Sequence, residues 1–316
     1  MRALVTGGAG FIGSTLVDRL LAEEHEVDVI DDLSTGSLAN LADARGHADR
    51  ALKIHNLDIR SRDVVTLMER RAPDVVFHLA AQMDVRLSVR DPVFDAEVNI
   101  IGTLNVLEGA RAAGSAKVVF ASSGGTIYGQ VDAEDLPLRE SHPQRPLSPY
   151  AIGKKAVVDY LTAYRELHQL EFTALALGNV YGPRQNPHGE AGVVAIFAGL
   201  MLEGRACTIY GDGSQTRDYV YVDDVVDSMV RSVDRGGGLL CNIGTGIETS
   251  VMQIHDAVAA AVGVKADPIL ASERPGELPR VSLDPARAAM QLGWQPWTTL
   301  TEGLAQTVEW TREKAS

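Results

Sequence analysis

The run Thr6-Gly7-Gly8-Ala9-Gly10-Phe11-Ile12-Gly13 limits what this chain can fold into more than any other stretch. It follows Ala3-Leu4-Val5, which reads as a short buried strand. It leads into Ile12, Leu16, Val17, Leu20 and Leu21, which recur at helical spacing. A strand, a Gly-x-x-Gly-x-x-Gly turn and a helix make a pyrophosphate cradle. The glycines permit a tight turn and close backbone approach, and the helix N-terminus attracts anionic phosphate. Gly7, Gly10, Phe11, Ile12 and Gly13 are the expected contacts. Val27-Asp28-Val29-Ile30-Asp31 then reads as a second strand ending in a carboxylate. Asp31, with Asp32 beside it, can accept the ribose hydroxyls of NAD and would repel the extra phosphate of NADP.

Further strand-like runs alternate with helical ones. They are Lys53-Ile54-His55, Val75-Val76-Phe77-His78-Leu79, Lys117-Val118-Val119-Phe120-Ala121 and Thr173-Ala174-Leu175-Ala176-Leu177. Such alternation predicts an α/β protein with a Rossmann-type, doubly wound parallel sheet. From Asn179 to Gly189 the sequence turns rich in loop formers. The expected division assigns residues 1–178, with a returning segment at about 218–245, to the NAD-binding domain. A smaller C-terminal lobe, mainly residues 179–217 and 246–316, would take the substrate. Trp294, Trp297 and Trp310 are expected as packing anchors of that lobe.

Composition narrows the partners. With 42 acidic against 29 basic residues the formal charge is -13, which disfavours nucleic acid or an anionic membrane as partner. No apolar run is long enough to span a bilayer, and Met1-Arg2 opens directly onto the first strand without a signal peptide. Cys207 and Cys241 are too few for a disulfide framework and fit a reducing cytoplasm. The His residues are scattered, so no metal site is expected.

Tyr150 and Lys154 stand four residues apart in Ser148-Pro149-Tyr150-Ala151-Ile152-Gly153-Lys154, a spacing that puts both on one helix face. A free tyrosine, with a pKa of about 10, is a poor base near neutrality. A neighbouring ammonium and a nicotinamide cation would favour the phenolate, and a lowering of roughly 3 units corresponds to about 4 kcal/mol. Taken alone, the spacing suits an ordinary surface helix equally well.

Together these motifs resemble the extended short-chain dehydrogenase/reductases, and among them the UDP-glucose 4-epimerases. The resemblance spans nearly the whole length. It includes Leu57-Asp58-Ile59, His78-Leu79-Ala80-Ala81, Asn99, Asn179-Val180-Tyr181-Gly182-Pro183-Arg184, His188-Gly189-Glu190-Ala191-Gly192-Val193-Val194, Thr216-Arg217-Asp218 and Arg274-Pro275-Gly276-Glu277. It implies that Tyr150 takes the 4-hydroxyl proton of a UDP-sugar while hydride passes to bound NAD, and that Lys154 holds the nicotinamide ribose. Asp58 and Ile59 would lie beside the adenine, and Leu79, Ala80 and Ala81 along the pyrophosphate, with Asn99 also on the cofactor. Asn179, Val194, Arg217, Arg274 and Glu277 would contact the UDP-sugar, and Tyr210 would stack near uracil. Val281 would stand beside the C2 substituent, small enough to admit an N-acetyl group. By the same analogy, helices around 98–113 and 151–167 would pair in a homodimer.

One position departs from the family. A Ser or Thr usually stands four residues before the Tyr of the Tyr-Gly pair; counted back from Tyr128, that position is Gly124. Thr126 is expected as a substrate contact, with Ser123 as a possible helper of the reaction. The same segment separates related chemistries. A 4,6-dehydratase needs an acid pair there, and Gly124-Gly125 offers none. A uronate epimerase remains the alternative, although Asn186 follows the Gly-Pro-Arg-Gln run where such relatives carry Arg. A non-enzymatic NAD-sensing protein would typically lose the Tyr/Lys couple, which is present here.

Overall fold

The computed structural model describes residues 1–47, 51–187, 192–274 and 278–315. The strands are β1 (Arg2–Thr6), β2 (Glu26–Asp31), β3 (Leu52–Asn56), β4 (Val75–His78), β5 (Lys117–Ser123), β6 (Glu171–Leu177), β7 (Asn179–Tyr181), β8 (Thr208–Tyr210), β9 (Thr216–Arg217), β10 (Tyr219–Tyr221), β11 (Leu239–Ile243), β12 (Thr249–Ser250) and β13 (Ile269–Ala271). The helices are α1 (Phe11–Ala22), α2 (Ala42–His47), α3 (Asp63–Arg71), α4 (Val85–Arg90), α5 (Pro92–Ala96), α6 (Thr103–Ala113), α7 (Gly124–Ile127), α8 (Pro149–His168), α9 (Val193–Leu202), α10 (Val222–Arg231), α11 (Val251–Val262), α12 (Ala286–Leu292) and α13 (Leu300–Ala315). A π turn, Glu97–Gly102, joins α5 to α6.

Seven parallel strands form the central sheet in the order β11-β6-β5-β4-β1-β2-β3. Alternate residues feed opposite faces, as the two-residue period of a strand requires. Ala3, Val5, Val75, Phe77 and Val119 join one buried cluster. Leu4, Val76, Val118 and Phe120 join the other. Both faces are therefore covered, which explains why these strands read as unbroken apolar runs. The first cluster extends without a break into Val194, Phe197, Ile254 and Leu304, so the C-terminal helices share the core of the sheet.

Short pairs complete the lobe: β7 runs parallel to β10, β8 parallel to β13, and β9 antiparallel to β12. The three tryptophans differ in burial. Trp294 is buried, and its Nε1 donates to the Asp224 carbonyl at 2.7 Å. Trp297 is 55% exposed, and its backbone amide donates to Asp224 Oδ2 at 3.2 Å.

Candidate active site

The chain passes from β1 outward to β2 and β3, then returns to β4 on the other side of β1. Ligands bind at this reversal, beyond the carboxyl ends of the strands. There the glycine turn is closed by Gly10 N donating to Gly7 O at 3.1 Å. Gly7 has φ of 70°, and a Cβ on it would lie 2.8 Å from Ala80 N. A Cβ on Gly13 would overlap the Gly7 carbonyl. The turn, the 79–81 loop and the start of α1 thus form a cradle that side chains would fill. This fits the dinucleotide, whose pyrophosphate needs close backbone approach.

Asp31 accepts Ala9 N and Leu33 N, each at 2.9 Å. Burial pushes its carboxyl above the usual range, while these two amides pull it back. Asp32 bonds Ser34 and is turned to solvent. A cleft of about 410 Å³ opens here, lined in part by Asp31, Leu33, Ile54 and Asn56. Asp58 is held by Arg60, and Ile59 is buried beneath Gly102.

A buried line of hydrogen bonds crosses the floor of the site. Thr103 Oγ1 donates its single proton to Asn99 O at 2.8 Å, so it must accept from His78 Nε2–H, 2.8 Å away. His78 Nδ1 is then an acceptor and takes the proton of Thr6 Oγ1 at 2.7 Å. Thr6 in turn accepts Leu79 N and Ala80 N, both at 3.2 Å. The inventory of donors leaves one tautomer, a neutral Nε2–H imidazole. Burial, reinforced by the charge of Lys154, pushes His78 down to about 3, in agreement with that assignment.

Asn99 faces inward from the π turn, a distortion that recurs at functional sites. Its side chain accepts Gln82 N at 3.0 Å and donates to Gln82 O and Asp95 Oδ1, both at 2.9 Å. Gln82 Nε2 also reaches Asp95 Oδ1, at 2.8 Å. Asp95 and Gln82 were not singled out from the sequence; the only trace was the four-residue spacing of Asp95 and Asn99.

Ser148 caps α8 by accepting Ala151 N at 3.3 Å, and Pro149 occupies the first turn. This fixes Tyr150 at the mouth of the helix and Lys154 one turn deeper. Lys154 Nζ donates to Ala121 O at 2.8 Å and lies 5.8 Å from the Tyr150 ring centre. Burial pushes Lys154 down to about 8, against an opposing pull from Asp95. The expected lowering of Tyr150 is not supplied by the protein's own groups. Burial pushes the phenol up to about 12, Ser123 pulls it back as a hydrogen-bonding partner, and Asp95 pushes it further up. Thr126 Oγ1 is buried without a partner among the described residues, and a Cβ on Gly125, next to it in the chain, would lie 3.6 Å from Asn179 Oδ1. Ser123 is the hydroxyl that bears on the Tyr150 phenol.

In the lobe, Asn179 N donates to Asp218 O at 2.7 Å. Arg217 Nη1 donates to Thr216 O, and Asp218 turns away from it into the interior. The Asp218 carboxylate gathers Thr245 N and Oγ1, Gly246 N and Leu283 N within 3.0 Å. The Arg274 guanidinium stacks on Tyr210, 3.8 Å from the ring centre, so it covers one face of the ring expected to meet uracil. Val194 and Val281 are buried. Glu277 and the stretch His188 to Ala191 lie outside the described residues. Among the described residues no group of metal-binding side chains converges, and no helix is long and apolar enough to cross a membrane.

A doubly wound sheet with a glycine cradle at its point of reversal, and a tyrosine–lysine pair on the helix after the fifth strand, define a short-chain dehydrogenase/reductase of the extended kind. The model of one family, described as GDP-mannose 4,6 dehydratase, matches residues 4–307. The chain belongs to that family. It is 52% identical to the UDP-glucose 4-epimerase of Mycolicibacterium smegmatis over all of both chains. A UDP-glucose 4-epimerase from Thermotoga maritima, solved with UDP-glucose, superposes with a TM-score of 0.95 at 42% identity over all of both chains. One from Thermus thermophilus, solved with NAD, gives 0.91 at 43% identity over 99% of each.

Proposed function

We propose that this protein interconverts the C4 epimers of a UDP-hexose, UDP-glucose and UDP-galactose, using a retained NAD. The observation that carries the reading is the convergence of Tyr150, Lys154 and Ser123, with Lys154 acting on the same His78 that hydrogen-bonds Thr6 at the head of the glycine turn. Full-length likeness to UDP-glucose 4-epimerases supports it.

NAD, when bound, supplies a hydride acceptor at C4 and a positive ring that favours the Tyr150 phenolate. Tyr150 takes the proton of the 4-hydroxyl as the C4 hydride leaves, and the sugar becomes a 4-ketone. Ser123 donates toward the phenolate and steadies it. Lys154 adds a buried cation whose Nζ is aimed by Ala121 O. After the sugar turns, Tyr150 returns the proton and the hydride comes back on the opposite face, so no net oxidation occurs. His78, held neutral, adds no charge to the cradle. In this reading Thr126 and Asn179 contact the sugar and diphosphate, with Arg217 and Arg274 as cations toward the phosphates. Gly124-Gly125 provides no acid for elimination of water, which favours epimerisation over the dehydration in the family's name.

We read residues 1–178 with 218–245 as the cofactor part and 179–217 with 246–316 as the sugar-nucleotide part. The addition of β11 to the sheet and the packing of α10 on α1 support this division. We also infer a cytoplasmic homodimer. Val89, Val93, Ile101, Ile152 and Tyr160 are exposed on adjoining elements, with Ile152 and Tyr160 on one face of α8. Cys207 and Cys241 are buried and unpaired, as in a reducing compartment. A monomer by light scattering would remove the dimer. Purified protein incubated with UDP-glucose, with the C4 epimers resolved by chromatography, tests the main reading. Failure to form UDP-galactose from it, with the reverse reaction also absent, would overturn it.

A further inference from the structure

We propose that Asp95 is a positioning residue for the reacting pair, a fixed negative charge that sets the protonation of both Tyr150 and Lys154 through a gap in α8. Gly153 makes the gap. A Cβ there would stand 3.4 Å from Asn99 Cβ and 3.8 Å from Asp95 Oδ2. With no side chain at 153, the α5 carboxylate reaches the turn of α8 that carries the pair. The carboxylate is buried, and two amides fix its rotamer: Gln82 Nε2 and Asn99 Nδ2 both land on Oδ1. Oδ2 is left toward Gly153 and the pair.

Facing Lys154 are Asp95 from α5, His78 from β4, Tyr150 on its own helix, and the uncharged Ala121 carbonyl and Phe120 ring of β5. Gln82 and Asn99 carry no charge. Of the other helices packed on α8, α4 carries Arg86 and Arg90, while on α6 Glu108 is engaged by Arg111 and Tyr164. His78 stays neutral above about 3. Among the described residues Asp95 is therefore the anion that acts on the pair. It favours ammonium over amine at Lys154 and phenol over phenolate at Tyr150. Without it, burial alone would strip the proton from Lys154 at a lower pH. A negative charge raises both groups together, so its removal lowers both together.

This inference rests on the reading of Tyr150 and Lys154 as the reacting pair, and its test separates the two. Asp95→Asn keeps an oxygen that accepts from Gln82 and Asn99 while it deletes the charge. The Lys154 Cε resonance, assigned by its absence in Lys154→Met, is titrated in the NAD-loaded wild type and in Asp95→Asn. The expected result is a midpoint lower by about one pH unit in the variant. The bell-shaped pH dependence of C4 epimerisation should move to lower pH by a similar amount, both limbs together. Asp95→Ser, smaller and still polar, should shift the lysine in the same direction if Asp95→Asn does not fold. An unmoved lysine midpoint overturns the proposal, as does a pH profile that shrinks without moving. If the wild type epimerises nothing, the functional reading fails while the lysine titration still decides the role of Asp95.

Discussion

Leu283 fills the space that a side chain on Gly124 would need: a Cβ there would overlap its Cδ1 and lie 2.9 Å from the Ala176 carbonyl oxygen. The family hydroxyl therefore has no room at 124, and Ser123 stands where it can meet Tyr150. Ser123→Ala is expected to lower kcat about 10-fold to 100-fold, the cost of one donor to the developing phenolate. Adding Gly124→Ser should not rescue it and should destabilise the fold by about 1–3 kcal/mol through overpacking. Steady-state rates and urea midpoints decide; rescue by the second change would show that position 124 has room after all.

Tyr150→Phe deletes one oxygen and leaves the cradle intact. It should retain NAD and lose about 10²–10⁴-fold in turnover. Lys154→Met should lose both rate and cofactor, since it removes the buried cation. Near-wild-type epimerisation by the phenylalanine variant would exclude Tyr150 as the base.

Asp31 is expected to make NAD the retained cofactor, by accepting ribose hydroxyls and repelling a 2′-phosphate. Its carboxylate already accepts Ala9 N and Leu33 N, so its position does not depend on the ligand. Mass spectrometry of the denatured protein should find NAD; finding mainly NADP would reject the role.

Val281 is buried beside the segment whose Leu283 packs on Gly124. Its small side chain should leave space for an acetamide, so UDP-GlcNAc should be epimerised measurably as well as UDP-glucose. Val281→Tyr should suppress the N-acetyl reaction and spare the plain hexose. Equal loss of both would mean that Val281 only packs.

Asp28 gives the sheet an acid-sensitive edge. It accepts His55 Nε2 at 2.7 Å and Arg71 Nε and Nη2 at 2.8 and 2.9 Å. Burial pushes the carboxyl up, but these bonds outweigh it and hold it below the ordinary range. A lowered folded-state value stabilises above the unfolded value of about 3.9, and that stability is lost as pH falls further. Asp28→Asn should cost about 2 kcal/mol at pH 7 and little near pH 2. Urea unfolding at the two pH values measures the difference; an equal cost at both would leave ionisation out of the account.

The sheet was legible because its strands are buried on both faces and so announce themselves as apolar runs. The cradle was legible because glycine is the residue that a tight turn against Ala80 admits. Helical spacing put Tyr150 and Lys154 on one face, and only the glycine turn upstream made that face read as a reacting pair. Asp95 was not legible, because an acid in Pro92-Val93-Phe94-Asp95-Ala96 reads as solvated until α8 is seen to lack a side chain at 153. Nor could spacing show that position 124 has no room for a hydroxyl, since that depends on Leu283, 159 residues beyond Gly124. The two- and three-residue strands of the lobe carry too short a pattern to betray their pairing. Arg274 over Tyr210 joins residues whose contact no local period encodes.

Asp218 ties Thr245, Gly246 and Leu283 to one carboxylate, while its own carbonyl receives Asn179 N. The loops expected to read the nucleotide sugar are thus fastened to a common peg. For protein engineering, this means that they are not modular. A loop transplanted singly from a relative of different sugar preference would arrive without its fastening and disturb its neighbours, whereas the three segments exchanged as a set, peg included, would keep their mutual geometry.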